Sequence, residues 1–120
     1  NMEQYSDDLR SVLQKMRRAA PEVGCILVGP SDRGKEVRKK TYQVWERTKY
    51  VAEVQRMVAP EFGCVSWDWQ QATGGEGSMI SWRFTEPPLA ARDLIHFSAA
   101  GYIHSAERFV AALDNAMENY

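Results

Sequence analysis

Leu9, Val12, Leu13 and Met16 recur at helical spacing between Tyr5 and about Ala20, with Asp7, Asp8, Arg10, Lys15, Arg17 and Arg18 set among them. An apolar stripe of this period predicts an amphipathic helix that buries one face. Ser6 is placed to cap its start, early acids and late arginines suit the helix dipole, and Pro21 lies beyond its end. The pattern then changes. Gly24-Cys25-Ile26-Leu27-Val28-Gly29-Pro30 is a short, nearly all-apolar run closed by breakers, which predicts a strand buried on both faces of a parallel sheet. Ser31 to Lys40 reads as a polar loop. Thr41 to Ala59 reads as a second helix, with Tyr50, Val51, Val54, Met57 and Val58 towards a core and Pro60 ending it. Phe62 to Asp68 predicts a second strand. Gln70 to Arg92 lacks any period, contains Gly74-Gly75-Glu76-Gly77 and Pro87-Pro88, and is expected to be a long irregular loop, a kind of segment that often carries function. From Ser98 to about Met117 a last helix places Ala99, Tyr102, Ile103, Ala106, Phe109, Val110 and Leu113 on one face.

The alternation of helix and strand predicts an α/β fold. With 120 residues, 44% hydrophobic, the chain is one compact domain or part of one. Its net charge of -1 supplies no overall field for nucleic acid or an anionic membrane. The basic run Arg33, Lys35, Arg38, Lys39 and Lys40 lacks interleaved aromatics and is read as a solvated loop. Cys25 and Cys64 have no metal-ligand spacing. Both fall in the apolar runs, so buried free thiols are expected, with a bridge between neighbouring strands as the alternative. No apolar run is long enough to cross a bilayer as a helix.

Candidate chemistry centres on Asp93-Leu94-Ile95-His96, just ahead of the last helix. A carboxylate that bonds one ring nitrogen of a histidine fixes its tautomer and leaves the other nitrogen free to take a proton from a nucleophile. Alone, Asp-x-x-His is a weak motif, because polar loops carry such residues as caps and solvated charges. In open parallel sheets, however, ligands gather beyond the carboxyl ends of the strands. There the loops Pro30-Ser31-Asp32, Asp68-Trp69 and the Asp93 to His96 segment are expected to meet. Two strands cannot bury such apolar runs on both faces, so further strands are expected upstream.

The run from Asp93 to Tyr102 resembles the C-terminal block of SGNH hydrolases, also called GDSL esterases. Gly29-Pro30-Ser31-Asp32-Arg33-Gly34 and the segment from Trp69 to Trp82 resemble the bacterial peptidoglycan O-acetylesterases within that superfamily. The likeness spans nearly the whole chain, with its motifs in the family's order. It implies the C-terminal part of a flavodoxin-like three-layer SGNH hydrolase fold, with parallel strands and flanking helices. Residues 1–120 would then be the C-terminal portion of a single domain whose upstream portion carries the Gly-Asp-Ser nucleophile.

The resemblance implies Asp93 and His96 as catalytic residues. Asn1 would be the remnant of a Gly-Thr-Asn block that forms the oxyanion hole, and Gly74, Gly75, Ser78 and Trp82 would contact substrate. No local serine fits the nucleophile: Ser98 reads as a helix N-cap, and Ser31, Ser66, Ser78 and Ser81 lack a glycine-flanked elbow. Trp69 and Trp82 are read as core or loop packing, with sugar stacking as the alternative, and His104 as an exposed helix residue. No metal or organic cofactor is called for. The implied function is removal of O-acetyl groups from peptidoglycan in the periplasm or cell envelope, with the N-terminal half of the same enzyme as partner. A glycan- or protein-binding module that keeps the half-fold, and an esterase for another acylated polysaccharide, are the competing readings.

Overall fold

A computed structural model describes residues 1–119. Helix α1 spans Met2–Ala19 and starts one turn earlier than its apolar stripe suggests. Asn1, rather than Ser6, is the cap: its Oδ1 accepts from the Gln4 N–H at 2.8 Å. Ser6 lies within the helix, where its hydroxyl accepts from Arg10. At the other end Arg17 donates to the carbonyls of Phe62 (2.7 Å), Val23 (2.6 Å) and Gly63 (3.2 Å), stitching α1 to the turns that precede both parallel strands.

Strands β1 (Ile26–Val28) and β4 (Val65–Trp67) pair in parallel, Ile26 opposite Val65 and Val28 opposite Trp67. One face meets α1 and α2 (Arg47–Val58), where Leu13, Val58, Ala59 and Cys64 form a core joined by Leu9, Met16, Leu27 and Val54. The other face is open, contrary to the burial expected of both: Ile26 is 42% exposed, Val28 48% and Val65 62%. Only Leu27 of β1 points into the core, since successive strand residues alternate between faces.

Cys25 and Cys64 are joined in a disulfide, not held as the free thiols expected. Each immediately precedes a strand, and the Val65 N–H donates to the Cys25 carbonyl at 3.0 Å, so the parallel register itself brings the two positions together. Their Cα atoms are 4.6 Å apart, within bridging reach.

Three further expectations are corrected. The loop placed at Ser31 to Lys40 and the first residues of the second helix instead form an antiparallel hairpin, β2 (Gly34–Arg38) with β3 (Thr41–Val44). Tyr42 and Val44 are its half-buried side chains, while Thr41 and Gln43 face out, a period-two pattern hidden inside a helix-length segment. The irregular segment from Gln70 to Arg92 contains two short helices, α3 (Trp69–Ala72) and α4 (Ser78–Arg83). Finally, α5 (Ala99–Glu118) has the expected extent and the expected Ser98 cap, but its apolar stripe is uncovered: Ile103, Val110 and Leu113 are 59%, 52% and 41% exposed. Among the described residues no helix is long and apolar enough to cross a membrane.

Candidate active site

The segment ahead of α5 is held from three sides. Ala90 and Phe97 form an antiparallel bridge, and the Ala91 N–H donates to the His96 carbonyl at 2.9 Å, closing a tight loop around Arg92 to Ile95. Ser98 caps α5 through its Oγ, which accepts from the Gly101 N–H and donates to the Pro88 carbonyl. Gly101 allows the helix to lie directly on Leu89, since a Cβ there would sit 1.8 Å from the Leu89 carbonyl oxygen. From the sheet side, the Gly34 N–H donates to the Leu94 carbonyl at 3.0 Å. Leu94 adopts φ 60°, a costly region for a branched residue, and its side chain is fully buried. That burial contributes roughly 1.5–3 kcal/mol, enough to offset a left-handed residue.

Within this loop Asp93 does two things at once. Its Oδ1 accepts from the backbone N–H groups of Ile95 and His96, both at 2.9 Å. Its Oδ2 lies 2.6 Å from His96 Nδ1. The side-chain bond to His96, then the two backbone bonds, hold the Asp93 carboxyl at about 2, below its usual 3.8, so it is ionised at neutral pH. An ionised carboxylate only accepts, so Nδ1 carries the proton and Nε2 presents its lone pair. The imidazole is 69% exposed, and Nε2 has no hydrogen-bond partner among the described residues. The arrangement is an oriented base facing an open side.

Asp32, quoted in a motif but given no role by sequence, is the frame's buried anchor. It is fully buried, and its Oδ1 accepts from Gln70 Nε2 at 2.8 Å while its Oδ2 accepts from the N–H groups of Gly77 (3.1 Å) and Met79 (3.0 Å). A buried carboxylate must be met by donors, and here the start of α4 supplies two of them. The loop after β1 is thereby tied to the loop after β4 and to the glycine segment, while Gly34 ties it to the Asp93 loop.

The remaining sequence-nominated residues divide by surroundings. Gly74 and Gly75 take φ 119° and 90°, conformations that suit glycine, in the turn that leads to α4. Ser78 is buried, its Oγ 3.4 Å from Thr73 Oγ1. Trp82 packs edge-on against Phe97, and the Arg108 guanidinium sits 5.8 Å from its ring centre. Trp69 stacks on Phe97 and donates from Nε1 to Ser105 Oγ at 2.9 Å. These rings and Met79 form the second core cluster, directly beneath the Asp93 loop. His104 is half-buried rather than exposed, with Nδ1 3.1 Å from Arg108. Asn1 makes its side-chain hydrogen bond within α1.

No protein-family model and no curated protein matches the sequence. Solved structures do. A peptidoglycan O-acetylesterase superposes with a TM-score of 0.86 at 27% identity over 100% of this chain, which spans 34% of that protein. The esterase domain of the ORF1 protein from the zebrafish ZfL2-1 retrotransposon matches 96% of the chain and is itself covered over 60%, with a TM-score of 0.60 and 19% identity, a likeness of fold. The chain thus spans about a third of the first of these and under two thirds of the second. The parallel pair with its flanking helices, the loop bearing Asp93 and His96 before the last helix, and this likeness to esterases together give the chain the fold of an SGNH-type C-terminal half.

Proposed function

We propose that this chain supplies the acid–base half of a serine esterase that removes O-acetyl groups from peptidoglycan sugars. The observation that carries this reading is the 2.6 Å bond between Asp93 and the proton-bearing nitrogen of an exposed His96, on a frame similar to a peptidoglycan O-acetylesterase. In the complete enzyme a serine hydroxyl from an N-terminal segment gives its proton to His96 Nε2 as its oxygen attacks the acetyl carbonyl carbon. Asp93 orients the ring and stabilises the imidazolium. Asn1 donates to the oxyanion through its side-chain amide N–H groups, its Oδ1 being engaged with the Gln4 N–H. Collapse of the tetrahedral intermediate expels the sugar oxygen, which takes the proton from His96. Water then attacks the acetyl-serine with His96 again as base, releasing acetate. Gly74, Gly75, Ser78 and Trp82 border the acyl and sugar positions.

The uncovered sheet face and α5 stripe support an upstream segment of the same enzyme as their cover, since apolar surface of this extent is a docking surface. The Cys25–Cys64 bridge supports a periplasmic or envelope location, where disulfides persist. The test is to combine the chain with the N-terminal half of its enzyme and measure acetate release from an aryl acetate. Activity is expected to fall by about six orders of magnitude in His96→Ala. Undiminished turnover in that variant would remove His96 from the chemistry.

A further inference from the structure

Charge is gathered on one part of this molecule. Arg33 to Lys49 contains seven basic and two acidic side chains, a net of +5 in a chain whose total is -1. All seven basic residues are exposed. Among the described residues only Lys49 has a carboxylate partner, Glu76 at 3.3 Å. This segment is the β2–β3 hairpin with its continuation into α2, and at its base lies a cleft of about 700 Å³ whose charged and aromatic lining is Lys35, Arg47 and Lys49 with Glu46, Glu76 and Trp45. Trp45 is 43% exposed, with Lys35 Nζ 5.6 Å from its ring centre. Trp67, Trp69 and Trp82, by contrast, stack or pack edge-on with other aromatic rings.

The cleft shares the frame of the Asp93 loop. The Trp45 N–H donates to the Arg33 carbonyl at 2.9 Å, and the next residue, Gly34, donates to Leu94. On the opposite wall Glu76 adjoins Gly77, which donates to Asp32. The cleft is thus connected to the Asp93 loop through backbone hydrogen bonds at Arg33 and Gly34. We propose that the cleft and hairpin bind a carboxylate-bearing glycan strand, with a pyranose ring on the Trp45 indole and its acidic substituents at Lys35 and Arg47. An indole offers a broad apolar face to the C–H face of a sugar, and a cation beside the ring, as Lys35 lies over one face of Trp45, selects carboxylates by charge-assisted hydrogen bonds. The choice of a glycan rests on the esterase reading. A nucleic acid would want several free stacking rings along the hairpin strands, where Tyr42 is half-buried and edge-on against Phe84. A membrane surface would want apolar side chains at the hairpin tip, and Arg38-Lys39-Lys40-Thr41 has none.

The test is a titration of the isotope-labelled chain followed by its four tryptophan indole signals and its backbone amides. The probes are a disaccharide of N-acetylglucosamine and N-acetylmuramic acid carrying a tetrapeptide, neutral chitotetraose, a single-stranded oligonucleotide, and phosphatidylglycerol vesicles. The disaccharide-peptide is expected to shift the Trp45 indole and the amides of the hairpin. Trp45→Ala, and separately Lys35→Glu with Arg47→Glu, should weaken it at least about tenfold. Chitotetraose should bind about tenfold more weakly, since it lacks the carboxylates. Unchanged signals from the other three indoles would show that each variant is folded. The proposal is overturned if the disaccharide-peptide shifts neither Trp45 nor the hairpin, if Trp45→Ala binds it as tightly as the parent, or if oligonucleotide or vesicles bind more tightly than the glycan. The readout is binding without turnover, so it is independent of the His96→Ala assay. Glycan capture with acetate release indifferent to His96 would keep the cleft and discard the role of His96, and the reverse pair of results would do the opposite.

Discussion

Asp93 serves as both loop staple and imidazole partner, and the two roles separate by titration. Its folded carboxyl lies at about 2, below the ordinary 3.8, because three donors favour the charged form. A depressed carboxyl stabilises the fold in full above the ordinary value, and that contribution fades as pH falls from 3.8 through about 2. The Asp93 side-chain carbon, followed by acid titration, is expected to show its midpoint near 2; a midpoint in the usual carboxylate range would mean that the bond to His96 does not form. Asp93→Asn keeps the shape but leaves the ring without a carboxylate, and in the assembled esterase it should cost on the order of a thousandfold to ten-thousandfold in turnover. Gly101→Ala tests packing rather than charge. Its Cβ meets the Leu89 carbonyl at 1.8 Å, backbone that cannot rotate away, so denaturant unfolding should show a loss of about 1–3 kcal/mol. The Asp93–His96 pair was legible from sequence because its partners are three residues apart. Asp32 was not, because its three donors lie 38, 45 and 47 residues away and a single aspartate in a loop carries no sign of them.

Elements with a full period were legible and short ones were not. Helices α1 and α5 run for 18 and 20 residues, long enough for an apolar stripe and caps to declare them. Helices α3 and α4, of four and six residues, complete too few turns for any period. The β2–β3 hairpin turns at Lys39 and Lys40, the latter at φ 59°, without the glycine or asparagine that marks such turns. Its backbone is braced instead by the Lys40 N–H donating to Glu36 Oε1 at 2.8 Å. Between elements, Asp32 has the largest leverage. Replacing it with alanine leaves Gly77 N–H, Met79 N–H and the Gln70 amide without an acceptor in a dry interior, at about 1–3 kcal/mol for each buried group. Asp32→Ala should therefore lower the urea midpoint sharply, whereas an unchanged midpoint would show that α4 starts correctly without it.

On the scale of the molecule, the disulfide and the open face have opposite effects. The bridge spans a sequence separation of 39 residues, and loop closure of that length stabilises the folded chain by about 4 kcal/mol in the chain-entropy account. Reduction should shift thermal unfolding well downward, and equal unfolding temperatures with and without reductant would argue against the bond. The open face of β1, β4 and α5 destabilises an isolated chain in water and is expected to bind a hydrophobic dye. If an N-terminal half covers this face as proposed, adding it should displace the dye, and Val65→Glu, which places a charge on that face, should prevent displacement. Strand periodicity made the two parallel strands legible. It could not distinguish one covered face from two, since the same apolar run results whether a partner layer is present or awaited.

Because the Asp93–His96 pair is oriented from within its own loop, with a local carboxylate, a local bridge and a local cap, the imidazole is set in place by this chain alone. Such a fragment is a natural component for a split reporter. On the proposed reading, fusing it to one of two interacting proteins, with a serine-bearing fragment on the other, would convert their encounter into ester cleavage without first having to build its own half of the relay.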